Sequence, residues 1–390
     1  MGQDKLMDSH RPLRVLFYVQ HLLGIGHLMR ARRIVSALRD DSIDVTLVTG
    51  GMPLSGFELA GVQQIALPPM AVSSADFRTL VDASDQPIDD EFRKTRCDML
   101  LDTYQTVQPD VVVLEAFPFG RRQVRFELLP LLSAIESTTP KPFLLASIRD
   151  ILQKRVKPGR DVDTARLVNQ HFDKVLVHGD PEFATLASSF SCAADIADRI
   201  VYTGLVCGPE SVASHRQFSV VVSAGGGAVG ATLVSAAIEA SRELSCVDSW
   251  CVITGPNLPE ELFRQMQQCA PANVTVERFC TDFSGLLANA QLSVSQAGYN
   301  TVSDILQARC RSVLVPFSSG GETEQAARAE RLKELGLASV VSEAQLSARN
   351  LASAIQAALL QDPLSAPVSI NTNGAKTTAR LLRNLVSENV

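Results

Sequence analysis

Five groups of residues carry side chains and spacings that could do chemistry. Gln296-Ala297-Gly298-Tyr299-Asn300-Thr301 is a small-residue turn between a short apolar run (Leu292 to Val294) and a segment with Val302, Ile305, Leu306 and Ala308 at helical spacing. A glycine turn that opens a helix presents unpaired N–H groups and the positive end of the helix dipole, which suits a phosphate. Asp304, inside that helix, could accept hydrogen bonds from two ribose hydroxyls. A second apolar run, Ser312 to Pro316, leads through a Gly/Ser loop to Glu324-Gln325, a further pair suited to a polyol. Ala224-Gly225-Gly226-Gly227 follows the apolar run Phe218 to Ser223 and forms a second loop of phosphate type, since glycines let backbone approach a ligand without Cβ clashes. Gly24-Ile25-Gly26-His27 ends the first apolar run, Arg14 to Val19. An imidazole where that loop turns into a helix is kept neutral by the helix N-terminus and is available as a base. Glu115 closes the run Val111 to Leu114 beside Phe117, Phe119, Arg121 and Arg122. It reads either as an acceptor-binding group at the reaction centre or as the partner of Arg121 or Arg122.

The elements that must hold these residues alternate as strand and helix. Continuous apolar runs suit strands buried on both faces of a parallel sheet, and open α/β sheets bind ligands at the carboxyl ends of their strands. The expected fold class is therefore α/β, with two facing doubly wound parallel-sheet domains. The first domain is expected over 1–209, a hinge over 210–217, the second domain over 218–370, and a crossing helix over 371–390. From Leu67 to Arg96 periodicity fades, and long loops with one or two helices are expected; Asp90 to Val107 reads as a helix. Arg149-Asp150, at another strand end, reads as a mutual buried pair.

Composition narrows the function. The chain has 390 residues, 46% hydrophobic and 20% charged, with a net charge of −6, so nothing recommends nucleic acid as a partner. No apolar run reaches membrane-spanning length, and the polar N-terminus has no signal-peptide core; a cytoplasmic protein is expected. The eight cysteines are scattered, without C-x-x-C, and read as reduced thiols. Asp161-Val162-Asp163 formally matches a D-x-D metal motif, but no apolar strand precedes it and it reads as a solvated loop. No metal or other cofactor is expected.

The stretch from Ser293 to Gly336 resembles the donor-binding signature of GT-B glycosyltransferases, most closely glycosyltransferase family 28, which includes the lipid-linked N-acetylglucosaminyltransferase of peptidoglycan synthesis. The resemblance implies that the turn around Gln296, Gly298, Asn300 and Thr301 holds a nucleotide diphosphate. It further implies that Asp304 holds the ribose, that Glu324-Gln325 contacts the donor sugar, and that Arg278-Phe279 lies at the base. Asp304 stands where the family usually has Glu. Thr203-Gly204-Leu205-Val206 resembles the family's inter-domain turn, with Cys207-Gly208-Pro209 in place of the Arg that often follows. Gly24 to Arg30 resembles the first glycine loop of these transferases and also the loop of nucleotide-sugar hydrolases of the pseudaminic acid pathway. The implied activity is metal-independent, inverting transfer from a nucleotide diphosphate sugar, with uridine favoured, to a hydroxyl acceptor, with His27 as base. The acceptor stays open between a lipid, met at the inner membrane face through Phe117 and Phe119, and a secondary metabolite. Two rivals stand beside this reading. One is a nucleotide-sugar hydrolase in which His27 activates water. The other is a non-catalytic nucleotide-sugar-binding protein.

Overall fold

The computed structural model describes residues 11–22, 24–54, 57–73, 79–154, 157–208, 214–225, 230–361 and 369–387. Its first half runs β1 (Arg14–Val19), α1 (Gly26–Asp40), β2 (Asp44–Thr49), β3 (Gln63–Ala66), β4 (Ala71–Val72), β5 (Leu80–Val81), α2 (Asp90–Val107), β6 (Val111–Glu115), α3 (Arg125–Glu136), β7 (Phe143–Arg149), α4 (Arg160–His171), β8 (Lys174–His178) and β9 (Ile200–Tyr202). The second half runs β10 (Val220–Ser223), α5 (Ala231–Glu243), β11 (Trp250–Ile253), α6 (Glu260–Cys269), β12 (Val274–Glu277), α7 (Phe283–Asn289), β13 (Leu292–Ser295), α8 (Tyr299–Ala308), β14 (Ser312–Leu314), α9 (Glu324–Glu334), β15 (Ser339–Val340), α10 (Ala348–Leu360) and α11 (Gly374–Ser387).

Two parallel sheets result, ordered β3-β2-β1-β6-β7-β8-β9 and β12-β11-β10-β13-β14-β15. The apolar runs explain them. β6 is buried at every position, as is β10, and such strands need helices on both faces. α1 turns Leu28, Ala31, Ile34, Val35 and Leu38 onto the first sheet at helical spacing. α2 starts where Asp89 accepts the N–H of Phe92 and ends at left-handed Gln108, just before Pro109.

In each sheet the strand order reverses once, between β1 and β6 and between β10 and β13. The register Tyr18↔Leu114 in one pair and Ser223↔Ser295 in the other sets the reversing carboxyl ends side by side. Crevices at such points are where open α/β sheets bind ligands. α11 returns to the first half: Ala379 and Leu382 share a core with Val35 and Leu38 of α1. Its entry is tight, since a Cβ on Gly374 would lie 2.3 Å from the carbonyl oxygen of Gly204.

From Leu67 to Arg96 the expected loops carry the short antiparallel pair β4–β5 and the start of α2, whose bounds are those expected for the helix. Two local expectations are corrected. Asp161 and Asp163 lie in the first turn of α4 rather than in a solvated loop, because their carboxylates suit the helix N-terminus. Phe117 and Phe119 are buried, the first 6.4 Å from the Phe172 ring and the second edge-on to Phe190 at 5.1 Å, so they are core side chains and not a lipid-facing surface. Part of the expected hinge, 210–213, lies outside the described residues.

Candidate active site

The β1/β6 crevice brings His27 and Glu115 together. His27 sits in the first turn of α1, and Glu115 is the last residue of β6. The Nδ1 of His27 lies 3.0 Å from Oε1 of Glu115, which is fully enclosed. Arg30, one turn along α1, reaches the same carboxylate. Ser147 donates to the other oxygen of Glu115 at 2.5 Å, and its hydroxyl lies 2.9 Å from Nε2 of His178, whose Nδ1 is 2.8 Å from the Thr203 hydroxyl. Glu115 is thus not the partner of Arg121 or Arg122. It anchors a buried polar chain that runs from His27 across β6, β7 and β8.

The electrostatics follow from this enclosure. Burial pushes the His27 pKa down to about 3, aided by Arg121 and Arg30 and opposed by the Glu115 hydrogen bond. Burial, which sequence reading did not weigh, is the largest cause. Burial would raise the Glu115 carboxyl, but Arg30 and His27 outweigh it and bring the pKa to about 2. Burial, helped by Arg30, takes His178 to about 3. At pH 7 His27 is neutral and Glu115 ionised. The tautomer that donates Nδ1–H to Glu115 leaves Nε2 a lone pair with no partner among the described residues; Nδ1 also lies 3.3 Å from the Arg30 guanidinium. A base oriented by a carboxylate is the arrangement that general-base catalysis requires.

These shifts make stability fall in acid. Unfolded histidines bind a proton near pH 6.5, while folded His27 and His178 resist until about pH 3. The unfolded chain therefore holds more protons over that window, and stability declines as pH drops through it. Glu115 adds to the decline below pH 4.5. Urea midpoints are expected to fall between pH 7 and pH 5, and His178→Gln to reduce the slope by up to ~1.4 kcal/mol per pH unit. Equal slopes in both proteins would contradict this.

The β10/β13 crevice gathers the second set. Gly225 has φ +74, a conformation favouring glycine, and a Cβ there would lie 3.2 Å from Oε1 of Gln296. Gly226 and Gly227 lie outside the described residues. Gly298 precedes α8, and a Cβ on it would meet open space. No side chain caps α8 and no acidic residue stands in its first turn, so its N-terminus is free for an anion. Asn300 and the half-buried Thr301 are in that turn, and Asn300 Nδ2 donates to the Gly26 carbonyl at 3.0 Å, closing one crevice against the other. Oε1 of Gln325 accepts the N–H of Ala297 at 3.1 Å and that of Phe317 at 3.2 Å, holding the turn in place. Phe279 follows β12 at the sheet edge and is 53% exposed.

Asp304 and Glu324 are occupied across the domain junction. Asp304 accepts from Arg33 at 2.7 Å and from the Gly208 N–H at 3.0 Å. Its side chain is only 4% exposed, so a ribose hydroxyl would have to reach the carboxylate's remaining lone pairs through that opening. Glu324 pairs with Arg149 and, at 2.8 Å, with Arg328. Asp150 pairs with Arg328 at 2.6 Å, so Arg149 and Asp150 serve separate partners rather than each other. Tyr299 donates to the His178 carbonyl at 2.8 Å and carries Arg30 over its ring at 5.0 Å. Asp163 is bound by Arg122, Arg125 and Arg166, which hold its carboxyl well below the usual range, while Asp161 accepts from the N–H and hydroxyl of Ser191.

Sequence reading missed Ser147, His178, Arg328 and the role of Arg30. One signal was present: Glu115 and His178 each end a buried apolar strand at the ligand-binding edge.

Two facing doubly wound sheets with opposed carboxyl edges define the GT-B glycosyltransferase fold. Solved structures agree. The calicheamicin glycosyltransferase CalG4 aligns with a TM-score of 0.60 at 16% identity, covering 97% of this chain and 95% of that one. Acinetobacter baumannii MurG aligns with a TM-score of 0.61 at 15% identity, covering 96% and 100%. Residues 220–382 match the glycosyltransferase family 28 C-terminal domain, and over that domain the chain resembles family 28. The UDP-N-acetylglucosamine--N-acetylmuramyl-(pentapeptide) pyrophosphoryl-undecaprenol N-acetylglucosamine transferase of Rhizobium meliloti (strain 1021) is 35% identical over 118 residues, 28% of this chain. The enzyme of the same name from Synechococcus sp. (strain CC9605) is 30% identical over 151 residues, 38% of this chain. These matches span 30% and 40% of the relatives' own length. Among the described residues, no helix is long and apolar enough to cross a membrane.

Proposed function

We propose that this chain is a glycosyltransferase that moves a sugar from a nucleoside diphosphate donor, uridine favoured, to a hydroxyl acceptor, with inversion and without a metal. The observation that carries it is the His27–Glu115 pair, 3.0 Å apart at one crevice, facing the uncapped α8 turn across the Asn300–Gly26 contact. The acceptor hydroxyl would lose its proton to Nε2 of His27 as its oxygen attacks the anomeric carbon. The electron pair of the breaking C–O bond would pass to the diphosphate, opposite the attacking face. The N-terminus of α8 and the Gly225 loop would stabilise that charge by N–H groups already oriented, which is the reason for reading no metal into the site. Asp304 would hold the ribose through its remaining lone pairs. The relatives named for a UDP-N-acetylglucosamine donor support uridine.

The cavity lined by His27, Phe119, Arg121, Arg149 and Leu152, of ≈ 140 Å³, has room for more than a water molecule, as a transferase would need for its acceptor. Expected results are transfer that persists in excess EDTA, and a Kd for the UDP-sugar at least roughly 10-fold weaker in Asp304→Ala, the loss of about 1.4 kcal/mol. Loss of activity on chelation, restored by a divalent cation, would overturn the metal-free mechanism. Unchanged affinity in Asp304→Ala would overturn the ribose assignment. Rapid donor cleavage with water alone would favour the hydrolase, and donor binding without turnover by any acceptor the non-catalytic reading. We place the protein in the cytoplasm, where activated nucleotide sugars are made.

A further inference from the structure

The cavity before His27 is lined by three arginines, and two of them have an ion-pair partner among the described residues. Arg30 pairs with Glu115, and Arg149 with Glu324. Arg121 makes no hydrogen bond or ion pair with any described residue, and its Nε is buried without a partner. The loop that delivers it is unusual. Ala116 and Arg121 both take left-handed backbone conformations, φ 65 and φ 55, and Gly120 N–H closes on the Ala116 carbonyl at 2.6 Å. Non-glycine residues rarely adopt this region, and paired instances beside a cavity are characteristic of ligand sites. Burial, then Arg149, lowers the Arg121 pKa to about 10, so the guanidinium is still a cation at pH 7. Glu115 is the nearby opposite charge, but it is taken up by Arg30, Ser147 and His27, so the half-buried guanidinium has no direct ion pair and a ligand anion would supply one.

We infer that Arg121 receives an anionic group, a carboxylate or phosphate, carried by the sugar acceptor. The inference rests on the glycosyl-transfer reading of the same site and narrows its acceptor to a hydroxylated anion. A guanidinium fork takes either group through two parallel hydrogen bonds. Phe119 and Leu152, in the same wall, would pack on the carbon skeleton, while His27 lies near enough for a small acceptor to bridge the two. After burial, Arg121 is the second cause of the low basicity of His27. An anion on Arg121 offsets that charge, so the base strengthens as the acceptor is seated. A donor whose sugar is itself a carboxylate is the other source of the same chemistry.

The test is calorimetric titration of inorganic phosphate into the full chain saturated with UDP, so that the donor diphosphate site is filled. Wild type is expected to bind phosphate. Arg121→Gln should weaken it at least roughly 10-fold, about 1.4 kcal/mol, with Arg121→Lys intermediate and the Kd for UDP unchanged in both. No phosphate binding by wild type, or equal binding by Arg121→Gln, would overturn the inference. Turnover assays separate the sources. Glycerol 3-phosphate outperforming glycerol, with the preference lost in Arg121→Gln, would place the anion on the acceptor. A preference for UDP-glucuronate over UDP-glucose that Arg121→Gln abolishes would overturn the acceptor source. A chain that binds phosphate through Arg121 but does not bind UDP would overturn the donor reading instead.

Discussion

Replacing His27 with alanine is expected to lower kcat by roughly 10²–10⁴ while leaving the Kd for the UDP-sugar within about twofold. The reason is geometric. Nδ1 is committed to Glu115 at 3.0 Å, so Nε2 is the nitrogen left to take a proton. The diphosphate and ribose contacts proposed above would lie on the other sheet. A general base contributes only as the proton moves, so its loss appears in kcat and not in donor affinity. Glu115→Gln should cost less than His27→Ala, because an amide still accepts the Nδ1–H but no longer offsets Arg30 as an anion. A His27→Ala enzyme that turns over at the wild-type rate would remove His27 from the reaction centre.

Arg328→Met is expected to destabilise the chain by about 3–5 kcal/mol in urea unfolding. Arg328 is fully buried and is held by Asp150 at 2.6 Å, Glu324 at 2.8 Å and the Ala297 carbonyl at 2.9 Å. These partners come from both halves of the chain, so the guanidinium joins β7 of the first sheet to α9 and the α8 turn of the second. Removing it leaves the buried Asp150 carboxylate uncompensated. Adding Asp150→Asn should restore part of the loss, since the stranded charge goes with it. A change below about 1 kcal/mol in the single variant would show the cluster to be energetically minor.

The fold was largely legible because the signals that specify it are local. Apolar runs such as Val111 to Leu114 and Val220 to Val222 report burial on both faces, and glycine turns at Gly26, Gly225 and Gly298 mark where strands give way to helices. The short β4–β5 pair was not legible. It has only two residues per strand, too few for an alternation to show. At the site, residue types were recognisable and partners were not. Asp304 meets Arg33 across 271 residues, and Arg328 meets Asp150 across 178. Sequence periodicity says that a position is buried, not what it is buried against. Phe117 and Phe119 show the same limit: aromatic loop residues look alike whether they face lipid or, as here, pack against Phe172 and Phe190. His27 was placed by its loop, but the burial that mainly lowers its pKa, and the Arg121 charge that aids it, appear only in the folded chain.

A crystal structure with uridine diphosphate tests the central claim most directly. The account predicts phosphate oxygens within about 2.7–3.2 Å of the backbone N–H groups that open α8 and of the Gly225 loop, with the terminal phosphate on the side facing His27. It also predicts ribose hydroxyls on Asp304. A nucleotide bound away from both crevices, or one whose phosphates contact neither glycine turn, would contradict it.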